Sequence, residues 1–126
     1  MNGLDDTLRE FGAGIGMPGL ALGAGGNVAL ELASGRRVAI EPAGDEVLVY
    51  VSDPAPYDAT ERLLRAWRRA HYSRLDGLAV QAALREQEGV PRLLAVARVA
   101  GANADARALM QTVDTLSRWL DAARDD

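Results

Sequence analysis

The chain contains no cysteine. That excludes a disulfide framework and a thiolate metal site. It contains no lysine either, because all 14 basic residues are arginine. Beside abundant alanine and glycine, this reads as genomic codon bias and not as a functional choice. His71 is the only histidine. A histidine metal site needs two or three coordinating side chains, and a catalytic histidine needs a nucleophile or carboxylate partner. Neither stands at a recognisable spacing, so His71 reads as a helix-end residue favoured by the dipole. No apolar run reaches membrane-spanning length. The opening MNGLDDTLREF is acidic where a secretory leader is basic, and no apolar core follows it. These absences predict a cytoplasmic protein with no metal, no cofactor and no membrane contact. A net charge of -4 argues against general nucleic-acid binding.

What is present is ordinary globular material. The 126 residues make a single domain, 1–126, large enough for its own core. From Leu20 to Ser52 the sequence alternates. Val28, Leu30 and Leu32 form one set, Val38 and Ile40 a second, and Val47, Val49 and Val51 a third. Ser34-Gly35 and Ala43-Gly44-Asp45 separate the sets. Period-two alternation broken by glycine turns predicts an antiparallel meander. Leu20 and Leu22 can form a short leading strand. The apolar face of such a sheet requires a cover.

The flanking segments supply it. Leu4, Leu8, Phe11 and Ile15 make one helical stripe, with Asp5 and Asp6 in the first turn. Gly12, Gly14, Gly16 and Pro18 end it. After Asp53-Pro54-Ala55-Pro56, Asp58 and Glu61 have capping-box spacing for a second helix ending near Tyr72 or Ser73. Its apolar side is read as Thr60, Leu63, Leu64, Trp67 and His71, and its polar side as Arg62, Arg65, Arg68 and Arg69. Leu78 to Arg85 and Arg92 to Val99 read as a hairpin around Glu88-Gly89. Apolar residues on both of its faces suggest burial on both sides. Asn103 can cap a last helix, with Asp105 in its first turn. Leu109, Val113, Leu116 and Leu120 form that helix's stripe, with Met110 and Trp119 flanking. The predicted fold is α+β: an antiparallel twisted sheet with helices packed on it, in the order α-β-β-β-α-β-β-α.

Candidate chemistry is thin. Gly14-Ile15-Gly16-Met17-Pro18-Gly19 spells G-x-G-x-x-G, but a dinucleotide fingerprint needs a strand before it and a helix after it. Here the order is reversed, and a helix end followed by a turn explains the glycines. The carboxylates fall at helix starts and turns, and no serine stands in an elbow motif. No catalytic residue is assigned, and an enzyme is not expected. The arginines Arg62, Arg65, Arg68, Arg69 and Arg74 fit a solvated face, a patch for an acidic partner, or a phosphate contact. Apolar positions exceed what one small core needs, which points to a protein-binding surface.

The opening LREFGAGIGMPGLAL, a glycine turn, two hairpin-linked strands and DEVLVYVS resemble the class I type III secretion chaperones, the Tir-chaperone-like family. That family starts with a helix carrying Leu and Phe, then Gly, then Leu on a leading strand, and it has the element order read above. The resemblance spans roughly Leu4 to Leu120. It implies a cytoplasmic, non-enzymatic homodimer that binds the N-terminal segment of a secreted effector and keeps it extended. By element position it implies effector contacts at Leu4, Leu8, Phe11, Ile15, Leu30, Leu32, Leu48 and Tyr50. It likewise implies a dimer contact through Leu63, Trp67, Leu78, Val80, Ala82 and Leu84. The competing expectation is an adaptor or regulator of the same fold whose partner is not secreted.

Overall fold

The structure is a computed structural model that describes residues 7, 9–12, 28–32, 34–72 and 80–125, with the backbone alone at 69–72 and 125. Residues 7 and 9–12 are helical (α1). Strands β1 (Val28–Glu31), β2 (Arg37–Ala43) and β3 (Glu46–Pro54) follow, then helix α2 (Ala59–Tyr72). Strands β4 (Gln81–Gln87) and β5 (Val90–Ala100) come next, then a single 3-10 turn (Gly101–Asn103) and helix α3 (Ala106–Asp125). The strands form one antiparallel five-stranded sheet in the order β1-β2-β3-β5-β4.

Turn chemistry sets the register. Gly35, Gly44 and Gly89 all have positive φ, which costs glycine nothing. Glu88 (φ 54) and Gly89 (φ 79) are both left-handed, the type I′ geometry whose twist matches the paired strands. With register fixed, alternate side chains share a face. Val28 and Leu30, Val38 and Ile40, Val47, Val49 and Val51, and Leu93, Ala95 and Ala97 all point inward and are buried. Helix α3 closes over them with Leu109, Leu116, Trp119, Leu120 and Ala123. Each fully buried leucine contributes about 1.5–3 kcal/mol of transfer free energy.

The predicted meander, its turns and the fold class are all present, and α2 ends at Tyr72 as read. Several details differ. Strand β4 starts at Gln81, with Val80 outside it, and it is largely exposed within this chain. Leu32 lies beyond β1 and is 39% exposed, because the chain is already turning through Leu32 N–H to Arg36 O. Asp105, not Asn103, caps α3: its Oδ1 accepts the Ala108 N–H at 2.8 Å. The preceding 3-10 turn takes up Asn103. Trp119 does not flank the α3 stripe but is the largest fully buried side chain. The buried strip of α2 runs through Arg62 and Ala66, whereas Leu64 and Trp67 are exposed. The leading strand at Leu20 and Leu22, the Gly14–Gly19 run and Arg74 lie outside the described residues, as do the side chains of Arg69 and His71.

Candidate functional site

Among the described residues, the helices cover one face of the sheet and none packs on the other. Register places Glu31, Arg37, Ser52, Leu94 and Ala83 in one row across that outer face. Ala29, Ala39, Tyr50, Val96 and Gln81 make the next row, followed by Glu41, Leu48 and Arg98. Arg37 on β2 lies 3.0 Å from Gln87 Oε1 and 3.5 Å from Glu88 Oε1, at the β4–β5 turn. Strands β3 and β5 lie between them in the sheet. Neighbouring strands lie about 4.8 Å apart, so a flat sheet would keep these groups out of reach. The face is therefore concave, and it holds a groove of about 500 Å³ lined by Ala29, Glu31, Arg37, Ala39, Glu41, Tyr50, Ser52, Arg85, Gln87 and Leu94. Small residues on β1 and β2 keep its floor low, while Tyr50 and Leu94 give it apolar surface.

Arginines crowd one end. Arg92 is 4% exposed and donates to Ser52 Oγ (3.1 Å), Ser52 O (3.0 Å) and Gly35 O (2.8 Å). These acceptors are neutral, and among the described residues Arg92 forms no ion pair. Burial, and then the charge of Arg37, push its guanidinium below the usual arginine range. Arg85 stands directly opposite Arg92 on β4, is exposed, and has no ion pair among the described residues. Arg37 is engaged by Glu31 at 3.2 Å and by the Gln87–Glu88 turn.

On the inner side of the same sheet end, a second arginine group is paired with carboxylates. The two carboxylate oxygens of Asp53 accept Arg36 Nε at 2.7 Å and Nη2 at 2.8 Å. Arg36 also donates to Asp121 Oδ1 (2.7 Å) and Ser117 O (3.1 Å) on α3. Arg62 reaches Pro54 O (3.0 Å) and Asp53 Oδ2 (3.4 Å) from α2, leaving its buried Nε without a partner. The hydrogen bond to Asp53 is the largest influence on Arg36 and, with Asp121, raises its pKa far above the ordinary value against the opposing effect of burial. This network fastens β3 and both long helices together.

A third surface lies where α2 meets β4. Trp67 is 51% exposed, and its indole Nε1 donates to Ala82 O at 3.2 Å. Leu64 (45%) and Leu84 (36%) are exposed on the same two elements.

The sequence-derived residues divide accordingly. Leu48 and Tyr50 lie half-buried on the outer face, and Tyr50 lines the groove. Phe11 and Leu30 are core residues, 1% and 8% exposed, and Leu30 also borders the groove. Leu4, Leu8, Ile15 and Leu78 lie outside the described residues. Leu63, Val80 and Ala82 pack partly buried against the core, while Trp67 and Leu84 face outward. Sequence reasoning missed Arg37, Arg85 and Arg92. Strand alternation did carry a signal, since it puts Arg85 on the second face of its strand. Among the described residues, no group of three or more His, Cys, Asp or Glu side chains is placed to hold a metal ion. No described helix is long and apolar enough to cross a membrane.

No protein-family model and no curated protein matches the chain. Solved structures do match its fold. A chain of the HopA1–SchA chaperone–effector complex superposes with a TM-score of 0.70 at 13% identity, covering 98% of this chain and 94% of that one. A chain of the ExsC–ExsE complex gives 0.65 at 20% identity, covering 95% and 87%. YbjN of E. coli, a candidate transcription regulator, gives 0.65 at 16% identity, covering 95% and 90%. The fold is thus that of the type III secretion chaperones, as the sequence pattern led one to expect, and YbjN shares it.

Proposed function

We propose that this protein is a cytoplasmic chaperone for a type III secreted effector. It holds the effector's N-terminal segment extended and ready for export. The observation that carries the reading is the concave outer face. A sheet that the described helices cover on one side, with a groove of mixed polarity on the other, suits an extended chain whose alternate side chains enter pockets. Its agreement in fold with chains of a chaperone–effector complex supports the choice of partner. The protein acts as a homodimer through the α2–β4 surface, with Trp67, Leu84, Leu63, Val80 and Ala82 in the contact. It catalyses no reaction and requires no cofactor. Co-expression with the product of the adjacent gene, followed by affinity capture, should recover a stable complex. A monomeric protein that captures no neighbour would sink the proposal. Trp67→Arg places a charge in the expected dimer contact and should shift sedimentation from dimer to monomer. An unchanged profile would count against this interface.

The likeness to YbjN favours one alternative, an adaptor or regulator of the same fold that acts on a protein that is not exported. Capture of such a partner would select it.

A further inference from the structure

The arginine network on the inner side of the sheet surrounds a cavity and is one negative charge short of balance there. Arg36, Arg62, Arg124, Asp53, Asp121 and Ser34 line a space of about 210 Å³. Three guanidiniums therefore share two lining carboxylates. Arg36 takes the short bonds, at 2.7 and 2.8 Å to Asp53 and 2.7 Å to Asp121. Arg62 and Arg124 reach those same carboxylates at 3.4 Å. Arg62 is 5% exposed, and its Nε has no hydrogen-bond partner. A guanidinium brings five N–H donors, and burying a charge with its donors only partly satisfied is costly. One water takes up about 30 Å³ of liquid, so the cavity has room for a tetrahedral oxyanion with water beside it.

We propose that this cavity binds a free tetrahedral oxyanion of the inorganic phosphate class. Its oxygens would accept hydrogen bonds from Arg62, Arg124 and the Ser34 hydroxyl, and its charge would supply what the two aspartates do not. Guanidinium forks suit phosphate oxygens in geometry as well as charge. Bound there, the anion joins α2, α3 and the turn between β1 and β2. The last turn of α3 is the negative end of that helix's dipole and opposes an anion. Binding is therefore modest, with a Kd of about 5 mM. The site lies across the sheet from the outer groove, and the inference does not depend on the peptide-holding function proposed above.

Thermal melts of the full chain in sodium phosphate, against sodium chloride of equal ionic strength, test it. At 20 mM phosphate the wild-type Tm should rise by about 4 °C. Asp121→Asn removes one of the two carboxylates and should about double that rise, because the bound anion then offsets a larger excess of positive charge. Arg124→Glu puts a carboxylate in the anion's place and should abolish the rise. Arg107→Glu changes the net charge equally on the exposed face of α3 and should keep it. A wild-type rise below about 1 °C would overturn the proposal. So would equal rises in all four proteins, which would be a general salt effect. If Arg124→Glu does not fold, Asp121→Asn decides alone, and a rise no larger than that of the wild type rejects the site.

Discussion

Two arginine groups meet the end of β3 from opposite faces. On the inner side Asp53 and Asp121 supply carboxylates to Arg36 and Arg62. On the outer side Ser52 supplies a hydroxyl and a carbonyl to Arg92, and Arg85 has no carboxylate among the described residues. One residue of strand alternation separates Ser52 from Asp53, and it separates two uses of the same side chain. The inner arginines are consumed by structure, tying two helices to the sheet. Of the outer pair, Arg92 is held by neutral oxygens and Arg85 is exposed. A structural ion network tends toward internal neutrality because a lone buried charge is costly.

The sharpest way to break this comparison is Asp53→Ala. It leaves Arg36 and Arg62 buried without their shared carboxylate and should cost about 3–5 kcal/mol by urea denaturation. A loss below about 1 kcal/mol would make the inner group no more than a surface pair. Asp121→Asn removes a half-exposed partner and should cost about 1 kcal/mol or less, because solvent screens that end of the network. Arg92→Met should change stability by no more than about 1 kcal/mol, since three hydrogen bonds are lost while an uncompensated buried cation is removed. A large destabilisation would move Arg92 into the structural class. Arg85→Glu, at an exposed strand position, should leave the urea midpoint unchanged. Acidification should not discharge the arginines. The pKa of Arg36 is raised on folding, so its contribution is complete below the ordinary arginine range and is lost only at still higher pH.

Much of the fold was legible because it rests on local rules. Alternation at Val28–Leu30, Val38–Ile40 and Val47–Val51, with glycine turns between, gave strands, register and the inward face together. The stripe Leu109, Val113, Leu116 and Leu120 gave α3. Arg62 was not legible. Hydropathy assigns an arginine to solvent, and the carboxylate that allows its burial is Asp53, on another element. Trp67 and Leu64 show the converse limit. An apolar stripe shows which side of a helix avoids water, but not whether this chain or another covers it. At the site, Leu48 and Tyr50 could be placed on the outer face by counting. The pairing of Arg85 with Arg92 follows only once the hairpin register is fixed.

The chain's two tryptophans are the buried Trp119 and the half-exposed Trp67, bonded to the β4 backbone. They therefore form two separate optical channels. Trp119, buried in the core with its indole Nε1 unbonded, should emit in the blue and resist acrylamide until the whole fold gives way. Trp67 should emit further to the red and quench readily. Anything that settles over the α2–β4 surface would shift only the second component, so steady-state emission can distinguish occupancy there from unfolding without a label.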